Sequence, residues 1–144
     1  MSGAGRVALV TGGGTGIGAA VARRLVADGW SVALTGRRAE PLEALARELD
    51  CLSLPGDAAE PADARAAVAA TVDRFGGLDG LVLNAGRGGV GSLLDATPET
   101  FADVHRVNVM GAFVTAQAAI GSLLERRCSL VTVASVAGLR ASPT

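Results

Sequence analysis

Short apolar runs alternate with longer amphipathic stretches along this chain. The run from Arg6 to Thr11 is apolar after its first residue and ends in glycines, a pattern typical of a strand buried on both faces of a parallel sheet. From Ile17 to Asp28 the apolar residues recur at helical spacing, and Gly29 follows as a helix terminator. The chain therefore opens with a predicted strand, a glycine-rich turn and a helix.

The same strand and helix pair repeats along the chain. Further strands are predicted at 31–35, 51–54, 81–84 and 129–134, and further helices at about 40–49, 61–75 and 98–127. Thr97, Pro98 and Thr100 form a capping signal for the last helix. Strands that alternate with helices predict parallel βαβ units, so the fold class is α/β with a doubly wound parallel sheet. No linker or second domain is evident, and residues 1–144 form one predicted domain.

The glycine-rich turn after the first strand is the first candidate site. Gly14, Gly16 and Ala19 match the pattern G-x-G-x-x-G/A, which is weak alone but here follows a strand and opens a helix. Glycines let the backbone approach a diphosphate, whose charge the amides at the helix N-terminus can hold. A plain glycine-rich turn is the alternative. A P-loop is excluded because it requires a lysine, and all thirteen basic residues are arginines.

Four segments, in order, resemble the motifs of the short-chain dehydrogenase/reductase family. Thr11 to Gly18 resembles its glycine motif, with Gly12, Gly16 and Gly18 as the signature glycines. The other three are Asn84-Ala85-Gly86, with Leu83 in place of the family's first asparagine, Val107-Asn108-Val109, and Ala134-Ser135-Val136-Ala137-Gly138. The resemblance spans essentially the whole chain. It implies a Rossmann-like sheet with the strand order 3-2-1-4-5-6-7. This chain is expected to carry the first five of these strands and to be truncated after strand 5.

The resemblance also implies a nicotinamide cofactor and a hydride transfer between it and a small-molecule carbonyl or alcohol substrate. The cofactor-binding residues expected in the first turn are Gly12, Gly14, Thr15, Gly16, Ile17 and Gly18. Cofactor choice is expected at the end of the second strand, where an NAD-binding protein places an acidic residue.

Gly36 occupies that acidic position, and Arg37 and Arg38 follow it. A guanidinium can bind a 2′-phosphate bidentately, so NADP is the favoured cofactor and NAD remains possible. Two arginines that are merely solvated at a helix start are the alternative. Thr15 stands where NADP-binding relatives carry a second basic residue, which weakens the preference.

Two further turns are candidates for contacts with the nucleoside parts of the cofactor. The resemblance implies that Asp57 contacts the adenine amino group and that Ala58 supplies backbone there; alternatively, Asp57 helps to start the following helix. After the fourth strand, Asn84, Ala85 and Gly86 offer a close-approaching backbone that suits a ribose, or form a simple turn.

Asn108 and Ser135 are the two candidate catalytic residues. Asparagine is a poor helix former, and the resemblance implies that Asn108 bends the long helix and holds a water in a proton relay; a satisfied core amide is the alternative. Ser135 resembles the serine that hydrogen-bonds the substrate carbonyl, or it simply ends a strand. His105, the only histidine, is predicted to lie on the surface, and a serine-hydrolase triad is disfavoured because no G-x-S-x-G surrounds Ser135.

The family's catalytic tyrosine and lysine, arranged as Tyr-x-x-x-Lys downstream of the serine, are missing from this sequence. The chain ends at Thr144 and contains no tyrosine and no lysine. We therefore expect the 144 residues alone to be inactive, as the N-terminal portion of an oxidoreductase. The alternative is a catalytically silent nucleotide-binding or interaction module.

Composition narrows the partners and the compartment. The net charge of −1 and the lack of a basic stripe disfavour nucleic acid, and no apolar stretch approaches the roughly 20 residues of a membrane span. The spacing of Cys51 and Cys128 fits neither a metal site nor a disulfide framework. We therefore expect no bound metal, and we expect a reducing compartment, by default the cytoplasm. Residues 130–134 would form an apolar sheet edge, which predicts a homo-oligomer or pairing with the missing C-terminal segment.

Overall fold

A computed structural model describes residues 5–89, 92–126 and 128–139. Its first half alternates strands and helices: β1 (Val7–Thr11), α1 (Gly16–Ala27), β2 (Ser31–Gly36), α2 (Ala39–Leu49), β3 (Leu52–Pro55) and α3 (Pro61–Phe75). Its second half contains β4 (Gly80–Leu83), α4 (Pro98–His105), a π-helical segment (Arg106–Met110), α5 (Gly111–Arg126), β5 (Ser129–Thr132) and a 3₁₀ turn (Val136–Gly138). These bounds agree with the predicted elements within one or two residues.

The five strands form one parallel sheet in the order β3-β2-β1-β4-β5. This confirms the predicted fold class and the first five strands of the predicted order. The chain reverses its direction of winding after β3, so the carboxyl ends of β1 and β4 flank the switch point where such sheets bind ligands.

Both faces of the central strands are covered. On one face α1 and α2 pack over the sheet, in a cluster of fully buried side chains that includes Val10, Leu34 and Leu42. On the other face α3 and α5 pack over Leu9 and Leu81. Every residue of β1 is buried, as its wholly apolar sequence predicts.

Local signals explain where the helices begin and end. Thr97 caps α4 through its hydroxyl, which accepts a hydrogen bond from the Thr100 amide at 3.2 Å, and Pro98 occupies the first turn. Gly29 adopts a φ of +81° after α1, a left-handed conformation that glycine enters without strain. The predicted capping signal and the predicted terminator are therefore both present.

The helical stretch Pro98–Arg126 is long and apolar enough, by length and composition alone, to cross a membrane. Its buried side packs against α3 and β4, as expected of the core helix of an α/β layer. Its predicted end at 127, like the end of the chain at 140–144, lies outside the described residues.

Candidate functional site

The glycine-rich turn brings β1, α1 and the end of β4 into direct contact. Gly12 has a φ of +63°, and a Cβ on it would lie 2.9 Å from the Cα of Ala85. A Cβ on Gly18, in the first turn of α1, would lie 2.2 Å from the Gly12 carbonyl oxygen. Only glycine fits at these two positions, because one requires a left-handed backbone and the other leaves no space for a side chain.

The N-terminus of α1 is suited to binding an anion. Thr15 precedes the helix in an extended conformation, and its side chain makes no capping hydrogen bond. No acidic residue lies in the first turn of this helix. The first amides of α1 can therefore donate hydrogen bonds to an anionic ligand, and the positive end of the helix dipole favours its charge.

A single hydroxyl fastens the ends of β1 and β4 together. Thr11, which is buried, accepts hydrogen bonds from the amides of Asn84 and Ala85, both at 3.0 Å, and donates one to the Val82 carbonyl at 3.4 Å. The Asn84 side-chain amide donates to the carbonyls of Thr11 and Gly12, both at 3.1 Å. Asn84 thus fixes the glycine turn, a role that the sequence did not predict.

The two arginines after β2 lie beside the glycine turn. Arg38 donates a hydrogen bond to the Thr15 hydroxyl at 3.1 Å. Thr15 stands where the family's NADP-binding members carry a basic residue, and Arg38 brings a guanidinium to that same place from α2's N-terminus. Arg37 is exposed and close enough to Asp57 for its charge to influence that carboxylate.

Asp57 lies in the turn between β3 and α3. Its carboxylate accepts hydrogen bonds from the Ala59 amide and from the guanidinium of Arg106, both at 3.0 Å. Burial alone would raise the pKa of Asp57, but these two donors and the charge of Arg37 lower that pKa below its usual value. Glu60 occupies the capping position of α3 without a side-chain capping bond, while Asp57 accepts hydrogen bonds from the Ala59 amide through its side chain and from the Glu60 amide through its carbonyl. Both roles of Asp57, in the cleft and in the turn that leads into α3, therefore stay open.

Asn108 lies in the π-helical segment, where the regular hydrogen-bond ladder of the long helix is interrupted. Its side-chain oxygen accepts from the Arg87 amide at 2.8 Å, and its side-chain nitrogen donates to the Arg87 carbonyl at 3.0 Å. The residue is exposed and not part of the core. The helix continues through this segment with a π-type repeat, so the predicted bend stays a prediction, and the Asn108 amide group holds the loop that follows Asn84-Ala85-Gly86.

Ser135 and His105 are both exposed. Ser135 begins the 3₁₀ turn after β5, and its hydroxyl accepts a hydrogen bond from the Ala137 amide at 3.2 Å. The hydroxyl lies past the carboxyl end of β5 and is not part of the cleft described next. His105 is the last residue of α4, as expected of a surface residue.

A cleft of about 500 Å³ opens at the carboxyl ends of β1, β2, β3 and β4. Eleven of the predicted cofactor-binding residues line it, namely Gly12, Gly14, Thr15, Ile17, Arg37, Arg38, Asp57, Ala58, Asn84, Ala85 and Gly86. Gly16 and Gly18 shape the turn but do not line the cleft. Asn108 and Ser135 lie outside it.

The cleft wall also includes Gly36, which the sequence indicated only as the place of the missing acidic residue, and five residues that it did not single out for the cleft: Pro41, Leu42, Gly56, Ala59 and Val107. Pro41 and Leu42 begin α2 next to the two arginines, and Val107 reaches the cleft from the π-helical segment. Their apolar character resembles that of ordinary core residues, so the sequence carried no signal that separates them from the core.

The two cysteines carry no chemistry in this site. Both are free, and burial raises the pKa of the Cys51 thiol to about 11. Burial also raises the pKa of Cys128, whose sulfur contacts the Leu78 carbonyl. Among residues 5–89, 92–126 and 128–139, no three His, Cys, Asp or Glu side chains cluster as metal ligands.

Comparisons with known proteins bear on this site. The sequence profile of the family described as short chain dehydrogenase matches residues 6–144. The 2-(R)-hydroxypropyl-CoM dehydrogenase of Xanthobacter autotrophicus is 40% identical over 148 residues, which cover 96% of this chain and 59% of that protein. The chain spans 51% to 59% of the length of the curated relatives it matches.

Two solved structures share the fold closely. A crystal structure of a variant actinorhodin polyketide ketoreductase with NADPH has a TM-score of 0.91 and 35% identity, over 96% of this chain and 56% of that one. A short chain dehydrogenase from Burkholderia cenocepacia J2315 in complex with NADP has a TM-score of 0.87 and 36% identity, over 96% and 58% of the two chains. With its glycine turn, sheet order and profile match, this chain belongs to the short-chain dehydrogenase family.

Proposed function

We propose that this chain is the nucleotide-binding part of an NADP-preferring oxidoreductase that transfers hydride between the nicotinamide and a small carbonyl or alcohol substrate. The observation that carries the proposal is the cleft in which the glycine turn, the N-terminus of α1 and two arginines meet. An acidic residue at the end of β2 would favour NAD, and none stands between Gly36 and Arg38.

The residues of the cleft fit the parts of this cofactor. The amides at the start of α1 would hold the diphosphate, and the guanidinium groups of Arg37 and Arg38 would hold the 2′-phosphate. Asp57 and Ala58 would contact the adenine, and the Asn84-Ala85-Gly86 turn would contact a ribose. When bound, the cofactor supplies the hydride chemistry, and the relatives that contain NADPH and NADP support its choice.

The catalytic part of the proposal rests on Ser135 and Asn108. The hydroxyl of Ser135 would hydrogen-bond the substrate carbonyl and stabilise its developing charge, and Asn108 would hold a water for proton transfer. The relatives extend over nearly twice the length of this chain. We propose that the whole protein carries the Tyr-x-x-x-Lys pair outside these 144 residues and that it acts in the cytoplasm, as a homo-oligomer.

Substitution of Arg37 tests the cofactor assignment. Arg37→Ala should cost about 1.5 to 3 kcal/mol of NADPH binding, the range for hydrogen bonds to charged groups, which weakens NADPH about 10- to 150-fold. The affinity for NADH should hardly change. Arg65→Ala is a matched control, because Arg65 is an exposed arginine on α3 outside the cleft. Equal losses for NADPH and NADH in titrations of Arg37→Ala would contradict the proposal.

A catalytically silent nucleotide-binding module is the second candidate, favoured by the absence of tyrosine and lysine from the chain. Both candidates predict no cofactor-dependent carbonyl reduction by the purified 144 residues, because the family's proton donor is missing. Turnover by this chain would show that another residue has taken over that role. Reading the coding sequence beyond codon 144 separates the candidates, since only the oxidoreductase requires Tyr-x-x-x-Lys there.

A further inference from the structure

Arg106 connects the long helix to the adenine side of the cleft. It lies in the π-helical segment, and its guanidinium reaches the carboxylates of Asp57 at 3.0 Å, Glu60 at 3.4 Å and Asp103 at 3.7 Å. Asp103 also pairs with Arg87. Three carboxylates around one guanidinium restrict where the Arg106 side chain can lie. A restricted Arg106 in turn restricts the Asp57 carboxylate, which faces the cleft.

Asp57 is that carboxylate. Each of its oxygens accepts one hydrogen bond within the protein, one from the Ala59 amide and one from Arg106. The Asp57 amide donates to the Asp63 carboxylate at 2.8 Å, which fixes the backbone of the turn. An ionised carboxylate has about four acceptor sites, so two bonds leave capacity for a further donor from the cleft that Asp57 lines.

The long helix holds this turn at two more points. The Thr115 hydroxyl of α5 donates to the Ala58 carbonyl at 3.2 Å, and a Cβ on Gly111 would lie 3.6 Å from the Ala59 amide nitrogen. Because α5 already packs against the backbone of the turn, the hydrogen bond from Arg106 chiefly orients the Asp57 side chain. Loss of Arg106 should therefore release the carboxylate without dissolving the turn.

The π-helical segment thus reaches two loops of the site at once. Asn108 holds the backbone of Arg87 after β4, and Arg106, two residues earlier, holds Asp57 after β3. An unbroken α-helix would point these two side chains differently, because a π turn inserts one residue into the helical repeat.

We propose that Arg106 is a positioning residue that holds the Asp57 carboxylate as an acceptor for the exocyclic amine of a 6-aminopurine, and so sets the preference for adenine over a 6-oxopurine base. This rests on the proposed function, which already places Asp57 beside the adenine. A 6-oxo group presents an acceptor to the carboxylate, and the two acceptors repel each other.

The test compares two dinucleotides on the intact 144-residue chain: NADPH and reduced nicotinamide hypoxanthine dinucleotide phosphate. Calorimetric titration should show that the unsubstituted chain binds NADPH about tenfold more tightly than the hypoxanthine analogue. Arg106→Met should reduce this ratio to about two- or threefold, with the affinity for the analogue unchanged. Arg106→Lys should recover part of the ratio, because an ammonium can reach one oxygen of Asp57.

Arg126→Met is the matched control. Arg126 pairs with Asp79 at 3.2 Å at the far end of α5, and its side chain is 34% exposed against 38% for Arg106. This variant should keep the tenfold ratio, whereas Asp57→Asn should abolish it. If Arg106→Met does not fold by circular dichroism, Arg106→Lys carries the test, and its ratio must lie below that of the unsubstituted chain.

The outcomes separate the inference from the function on which it rests. An unsubstituted chain that binds neither dinucleotide contradicts the proposed function and the inference together. A chain that binds NADPH but shows no preference over the analogue, or keeps its full preference in both Arg106 variants, overturns the inference alone. Equal weakening of both dinucleotides by Arg106→Met would assign Arg106 a merely structural role and overturns it as well.

Discussion

Strands β1 and β5 belong to the same parallel sheet and have similarly apolar sequences, yet their surroundings are opposite. All five residues of β1 are buried, between β2 and β4 in the sheet and between helices on both faces. All four residues of β5 are exposed, and among the described residues β5 pairs with β4 alone. An apolar sequence therefore allows a strand to be buried, but the neighbouring strands and helices determine whether it is buried.

The same contrast divides the molecule into two regions. Around β1, β2 and β3 the helices close over the sheet, and the cleft is shaped by tight glycine contacts. On the other side, Phe101, Phe113 and Leu124 of the long helix are 56% to 73% exposed, and Leu130 and Val131 of β5 are 43% and 53% exposed. These exposed side chains offer apolar surface that a further segment or a second copy of the chain could cover.

The largest expected effect is at the tightest contact of the buried region. Gly18→Ala should destabilise the fold by about 3 kcal/mol, the upper part of the range for overpacking, because the new methyl group would meet the backbone of Gly12. Dinucleotide binding should fall with it, since the clash displaces the glycine turn. Urea unfolding followed by circular dichroism measures the loss.

Gly121→Ala is the matched control for this substitution. Gly121 lies in α5 with open space where a Cβ would stand, so alanine should stabilise the helix by about 0.5 to 1 kcal/mol. If Gly18→Ala and Gly121→Ala gave the same unfolding free energy, the close packing of the turn would not be what holds this region.

The second expected effect is self-association of the chain through its exposed region. We expect the 144-residue chain to self-associate through the edge of β5 that no other described strand pairs with, because unpaired amides and carbonyls beside apolar side chains template a further strand. Val131→Lys should raise the monomer fraction severalfold, since charged side chains on an edge oppose such pairing. Light scattering gives the mass. Hydrogen exchange of the Thr132 amide reports on the edge, because the Val133 amide already donates to the Leu83 carbonyl of β4 and successive amides of a strand point to opposite sides.

Val109→Lys separates the edge from the exposed helix face. Val109 is 51% exposed, against 53% for Val131, but it lies in the π-helical segment. This variant should leave the association unchanged. A reduction by Val109→Lys alone would place the contact on the helix. A monodisperse chain with an unprotected Thr132 amide would show that the edge attracts nothing.

The sequence predicted those features that depend on residues close together in the chain. Strand and helix positions follow from apolar periodicity, and the α4 cap and the α1 terminator follow from Thr97 and Gly29. The location of most of the cleft also followed, because the ends of parallel strands meet at one edge of the sheet.

The contacts that the sequence could not predict join residues far apart in the chain. Arg106 and Asp57 are 49 positions apart, and the Thr11 hydroxyl bonds amides more than 70 positions away. No local pattern marks such partners, since their meeting depends on how the helices settle on the sheet. The contact of Asp57 with Arg106 is likewise visible only in the folded chain.

The most direct test of the central claim is a calorimetric titration of the unsubstituted chain with NADPH and with NADH under identical conditions. Arg37 and Arg38 can bind a phosphate that only NADPH carries on its adenosine ribose. We therefore expect NADPH to bind about 10- to 150-fold more tightly than NADH. Equal affinities, or tighter binding of NADH, would contradict the assignment of this cleft to NADP.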